Sequence, residues 1–221
     1  MASQTVENYL KALFYLCDKN DEVSISELSN QLEVSKPSVN SMVKTLSQEG
    51  LIKYEKYKPL KITEKGRIEA SKIIRKHRLT EMFLVKKMGF AWDEVHEVAE
   101  QIEHINSPLF FDRMDELLDF PKFDPHGSPI PDKSGQIEDK SYLKLTDCKV
   151  DDKVILKSLN HTSKVFLNFL DQKKISLNTI FEIKHIEDFD DSVTVHYSEN
   201  RLEIFSQKVC DRLLVEKIIT D

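Results

Sequence analysis

Residues 24–50 read SISELSNQLEVSKPSVNSMVKTLSQEG, and two helix starts inside this stretch decide the fold. Ser24 and Glu27 form a capping-box pair, in which each side chain satisfies the other residue's orphan backbone N–H. Leu28 and Leu32 supply the apolar stripe of the short helix that follows. Ser35 is a second N-cap, with Pro37 in the first turn, where a missing N–H costs nothing. Val39, Met42, Val43 and Leu46 form the next apolar stripe, and Gly50 stops the helix. With that stripe turned inward, Ser35, Lys36, Pro37, Ser38, Asn40, Ser41 and Lys44 are left on the outer face. They are mostly short polar donors and lysines, suited to base edges and phosphates in a DNA groove.

Working outward, Val6, Leu10, Leu13, Phe14 and Cys17 recur at helical spacing and predict a first helix over residues 4–18. After Gly50, Leu51–Tyr54 and Leu60–Thr63 are β-prone, and the segment joining them carries Lys56 and Lys58. Helix, turn, helix and basic hairpin is the order of a winged helix-turn-helix. The net charge of −6 is unevenly spread. Residues 36–78 hold 12 Lys/Arg against 4 Asp/Glu, a balance of +8, whereas residues 81–221 hold 18 against 28, a balance of −10. The basic stretch suits a polyanionic partner. A helical protein-interaction domain with a solvated surface is the blander alternative.

The middle of the chain concentrates metal-binding side chains. A long helix is predicted from Thr63 to about Met88, with His77 and Glu81 four apart on one face. A second, from Asp93 to about Ile105, places His96, Glu100, Glu103 and His104 along one stripe. Imidazole with carboxylate suits divalent first-row metals, and no thiolate lies in the cluster to favour zinc or copper(I). Taken singly, each residue reads as a solvated helix face; together they converge. The Pro/Gly-rich stretch 121–132 reads as an irregular loop holding two further donors, Asp124 and His126.

Composition bounds the remainder. With 40% hydrophobic and 32% charged residues, 221 residues can build two or three compact units. No apolar run approaches the ~20 residues that cross a bilayer, and the first residues do not have the pattern of a secretion signal. Cys17, Cys148 and Cys210 are widely spaced and read as buried thiols. A cytoplasmic protein is the expectation.

Several stretches resemble the diphtheria-toxin-repressor and manganese-transport-repressor family of metal-dependent transcriptional regulators: Thr5–Leu10, Val34–Val39, Arg75–Leu79, Val95–His104 and the loop Asp124–Pro131. From about Ser141 to Val215 the chain resembles that family's FeoA-like β-barrel, with candidate strands at 151–156, 179–183, 192–197 and 201–205 and a helix over 162–172. The resemblance implies a mainly α chain with a small β domain. Its parts would be a winged helix-turn-helix domain (1–72), a helical dimerisation and metal-binding domain (73–122), a linker (123–140) and a small β-barrel (141–221).

It further implies a homodimeric repressor on a palindromic operator in double-stranded DNA, activated by Mn2+ or alternatively Fe2+. One metal site would use Glu100, Glu103 and His104, completed from the first helix by residue 8. A second would use His77, Glu81 and His96, with Asp124 and His126 as additional donors. Residue 8 is Asn8, where manganese sensors carry Asp and iron sensors Met; an amide oxygen binds a hard cation but brings no charge. Two rival readings stand beside this one: a di-metal carboxylate enzyme in a helical bundle, and a winged-helix regulator answering an organic ligand. The enzyme's Glu-x-x-His pattern is absent at His104, whose partner three residues earlier is Gln101.

Overall fold

The computed structural model describes residues 3–17, 22–138, 140–198 and 201–218. The chain forms two compact units. One comprises Met1–Phe83, Glu97–Lys122 and Ile130–Glu138; the other comprises Leu84–His96, Phe123–Pro129 and Asp139–Asp221.

In the first unit, α1 (Gln4–Cys17), α2 (Ile25–Leu32) and α3 (Lys36–Gln48) lead into a hairpin of β1 (Ile52–Lys53) and β2 (Lys61–Ile62). The expected last residue of the first helix, Asp18, lies outside the described residues. The capping box forms as the sequence predicts: Glu27 N–H donates to Ser24 Oγ at 3.1 Å, and Ser24 N–H donates to the Glu27 carboxylate at 2.8 Å. Ser35 caps α3 by accepting from the Ser38 N–H. The hairpin is antiparallel with Ile52 opposite Ile62, and a bridge between Val23 and Leu60 ties it to the residue that precedes the α2 cap.

Leu13, Leu28, Val39, Val43, Leu46, Leu60 and Ile74 share one core and are wholly buried. Each contributes roughly 1.5–3 kcal/mol through burial. Through Ile74 that core takes in α4 (Glu64–Met88). In the first turn of α4, a Cβ at Gly66 would lie 2.0 Å from the Leu51 carbonyl oxygen, so only glycine permits this approach.

Two elements differ from expectation. The helix expected over 93–105 is shorter, α5 (Val95–Ile102), and a further helix, α6 (Pro108–Leu117), follows it. Pro108 suits the first turn of the new helix, where its missing N–H costs nothing. Ser107 accepts the Phe110 N–H and caps it. Leu79 of α4 packs with Phe111 and Met114 of α6 in a second small core.

The second unit is built on a six-stranded antiparallel sheet of β3 (Leu143–Lys144), β4 (Lys153–Leu159), β5 (Ile180–Ile186), β6 (Val193–Tyr197), β7 (Arg201–Phe205) and β8 (Leu213–Lys217). Their spatial order is β3-β8-β4-β5-β6-β7. Two helices, α7 (Lys164–Gln172) and α8 (Gln207–Cys210), join it. The expected barrel is not closed. Irregular register between Leu156 and Ser158 and between Ile183 and His185 bends the sheet. Its ends nonetheless remain β3, only two residues long, and β7, whose Leu202 and Ile204 stay exposed. Cys148 and Cys210 are buried in this unit's core and Cys17 in the first unit's.

Candidate metal centre

The first unit gathers charged side chains from three helices around Glu103. Glu103 and His104 lie in the turn that ends α5, with the Glu103 N–H still bonded to the Ala99 carbonyl. The Glu103 carboxylate is completely buried, and each of its oxygens faces a cationic group. Lys11 Nζ of α1 lies 2.6 Å from Oε1, and His77 Nδ1 of α4 lies 2.5 Å from Oε2. The other ring nitrogen of His77 donates to Glu81 at 3.1 Å, so the imidazole bridges two carboxylates. Lys11 also reaches Glu100 at 3.2 Å. His104 Nδ1 donates to Glu7 of α1 at 2.5 Å, and its Nε2 lies 3.7 Å from Glu103. Lys76 donates to the Glu103 backbone carbonyl at 2.8 Å and lies 3.8 Å from Glu7.

These contacts set the electrostatics. Burial pulls the His77 pKa down, but the hydrogen bonds to Glu103 and Glu81 outweigh it and push it up to about 9. Burial raises the Glu103 carboxyl, yet His77 and Lys11 hold it below its ordinary value. Lys11 is lowered by burial and raised more strongly by Glu103 and Glu100, for a net rise. A buried carboxylate of this kind demands positive charge. Two imidazoles and up to four carboxylates, with no thiolate, fit a divalent first-row ion.

The sequence-predicted residues fall into two groups. His77, Glu81, Glu100, Glu103 and His104 lie in the first unit, and all but Glu100 and His104 are buried. Asn8 is half-buried on α1 and takes no part in the bonds described above; its neighbour Glu7 holds His104 instead. Sequence reasoning missed Glu7, Lys11 and Lys76. The signal available was the i, i+4 spacing of Glu7 and Lys11, which puts both on one face of α1.

His96, Asp124 and His126 belong to the second unit. His96 is exposed in the first turn of α5. Asp124 accepts the backbone N–H groups of His126 and Ser128, an Asx-type loop closure. The His126 ring donates to the Trp92 carbonyl at 2.9 Å and stacks on the Trp92 indole. Gly127 completes this loop at φ +86°, where a Cβ would lie 2.1 Å from the Lys157 carbonyl oxygen.

On α3, Ser35, Lys36, Pro37, Ser38, Ser41 and Lys44 are exposed, and Asn40 is half-buried with its amide on the Lys36 carbonyl. Lys56 and Lys58 are exposed at the hairpin tip, where Lys58 pairs with Glu55.

Residues 1–60 match the family model of the iron-dependent repressor N-terminal DNA-binding domain, and residues 63–132 match that of the iron-dependent repressor metal-binding and dimerisation domain. The chain belongs to the iron-dependent repressor family. Among family relatives, the iron-dependent repressor IdeR of Mycobacterium tuberculosis is 35% identical over 127 residues, 58% of this chain and 55% of that protein. The chain thus spans about half the length of these relatives. An uncharacterised HTH-type transcriptional regulator of Methanocaldococcus jannaschii is 33% identical over 51% of this chain and 90% of its own.

Among solved structures, a manganese-dependent transcriptional repressor in complex with manganese is 28% identical with a TM-score of 0.89, covering 96% of this chain and 100% of that one. The manganese-activated repressor ScaR in its apo form is 31% identical with a TM-score of 0.82, at the same coverages. Both family models describe parts of a repressor, so the di-metal enzyme reading finds no support. No described helix is long and apolar enough to cross a membrane.

Proposed function

We propose that this protein is a homodimeric, metal-dependent transcriptional repressor that binds a palindromic operator when Mn2+ is bound, with Fe2+ as the second candidate effector. The observation that carries the proposal is the convergence on Glu103 and His104 of two side chains from α1, the helix that shares a core with α2 and α3. Glu7, Glu100, Glu103 and His104 would hold one ion, with Asn8 as a further oxygen donor. His77 and Glu81 would be donors for another, and the sequence pattern offers His96, Asp124 and His126 as further donors. The ion would supply a divalent charge that carboxylates of α1 and α5 share.

The α3 residues Ser35, Lys36, Pro37, Ser38, Asn40, Ser41 and Lys44 would read the major groove, and Lys56 and Lys58 would hold the backbone. Manganese is favoured because every donor is an oxygen or an imidazole nitrogen; selectivity over tighter-binding metals would then come from geometry. The iron alternative is supported by the family description and by the iron-dependent mycobacterial relatives.

The test is selection of bound sequences from a random duplex library, followed by anisotropy titrations with Mn2+, with anaerobic Fe2+ and with chelator. Metal that favours the DNA-competent state must bind more tightly when DNA is present. Binding of equal strength with chelator and with metal would sink the proposal, and activation by iron alone would make this an iron sensor.

A further inference from the structure

We infer that the Lys11 ammonium is a resident counter-ion of the metal centre, which a divalent ion must displace, so that Lys11 sets the metal concentration at which the centre fills. The inference rests on the metal-sensor reading above. Lys11 is not a solvated lysine: its side chain is only 12% exposed, and it touches a carboxylate that is 0% exposed. Its nitrogen lies 2.6 Å from Glu103 Oε1. A metal–carboxylate bond is about 2.0–2.2 Å long, so an ion using that oxygen would occupy the space the ammonium now fills. The two cations would also repel at contact distance.

Charged side chains from three helices face this point without a metal. Glu7 and Lys11 come from α1; Lys76, His77 and Glu81 from α4; Glu100, Glu103 and His104 from the end of α5. Removing Lys11 alone would leave this group with surplus negative charge. An exit route is present as well. Glu100, the second partner of Lys11, is 51% exposed, and four rotatable bonds let the ammonium swing towards water without moving α1.

The resulting behaviour differs in sign from that of an ordinary structural ion pair. Lys11→Met keeps the stem and deletes the charge. The metal-free variant melts at a lower temperature than the wild-type protein, because Glu103 loses a partner. Its Mn2+ affinity, measured by electron paramagnetic resonance of free Mn2+, rises at least about tenfold, the scale on which one charge within 4–6 Å moves an ionisation equilibrium. Lys11→Arg keeps the charge and stays within about threefold of wild type by the same reasoning.

A readout on the unmutated protein covers the case in which Lys11→Met does not fold. Acetylation of Lys11 by an activated ester, followed by mass spectrometry, is slow without metal and accelerates as Mn2+ saturates the centre. If wild type binds Mn2+ and Lys11→Met binds it no more tightly, or if Lys11 acetylation ignores Mn2+, the resident-cation inference is overturned while the sensor reading stands. If neither protein binds Mn2+ or, anaerobically, Fe2+, both fall.

Discussion

Metal-free stability and metal affinity should respond to pH in opposite directions, and His77 is the reason. Its imidazole is buried between Glu103 and Glu81, and its pKa is pushed from the ordinary 6.5 up to about 9. A folded-state value above the unfolded one contributes stability that is fully present below pH 6.5 and lost as pH rises through 9. The size of that contribution is about 3 kcal/mol. Urea denaturation in chelator should therefore show the metal-free chain losing on the order of 3 kcal/mol between pH 6.5 and pH 9.5.

A metal ion that engages the same groups must expel the His77 proton, because an imidazolium has no lone pair to give. Between pH 6.5 and 8.5 the Mn2+ dissociation constant should accordingly fall about tenfold per pH unit for each such proton displaced. Calorimetry in buffers of different ionisation enthalpy would count the protons released. A dissociation constant that is flat over this range, together with a metal-free stability that does not fall, would refute the assignment of a protonated His77 at the centre.

Three further outcomes follow from the same geometry. Alanine at Lys36, Ser38 or Ser41 should weaken binding to the selected operator while leaving metal affinity unchanged; alanine at Lys56 or Lys58 should weaken all sequences alike and shallow the salt slope by about 1 each, which anisotropy at several salt concentrations would measure. Gly66→Ala should cost on the order of 2 kcal/mol or more in urea melts, because its Cβ would fall 2.0 Å from a backbone oxygen that cannot give way; an unchanged midpoint would show that the close approach of α4 to Leu51 is misread. Leu109 and Leu117 of α6 are 65% and 59% exposed, so Leu117→Glu should raise the dimer dissociation constant at least about tenfold in sedimentation equilibrium without lowering the melting temperature of the monomer.

Legibility in the sequence followed the range of the interaction involved. Ser24 with Glu27, and Ser35 with Pro37, announce helix starts because their partners lie three residues away, and both caps form. Ser107 followed by Pro108 carries the same kind of signal, and a helix starts there too. β8 lies between β3 and β4 yet is only five residues long, with an apolar run that suits helix or strand equally. Whether the sheet closes depends on partners many residues apart, which no local pattern encodes. That His77 and Glu81 share one helix face, and that Glu103 and His104 lie close to them, was legible from spacing on two helices. The choice of Glu7 over Asn8 was not, since adjacent residues on a helix point about 100° apart and only packing decides which one faces inward. Lys11 was not legible for a different reason: a lysine four residues after a glutamate on a helix has the pattern of a solvated surface pair.

Lys11 bears on how a metal signal would reach DNA. α1 is fastened to the centre by two side chains of opposite sign, Glu7 on His104 and Lys11 on Glu103. Leu10, Leu13 and Phe14 of the same helix enter the core that also holds Leu28 of α2 and Val39 and Val43 of α3. A divalent ion at Glu103 would exchange one fastening for another: Lys11 would be released, while acidic or amide side chains of α1 would gain a positive partner. The net pull on α1 is the difference between these two terms, not the whole affinity of the site. A tightly bound ion that replaces Lys11 without recruiting Glu7 or Asn8 would shift the DNA-binding unit little, since a ligand moves an equilibrium only by its differential affinity for the two states. Affinity and activation are thereby separable, and the residues that separate them lie on α1 itself.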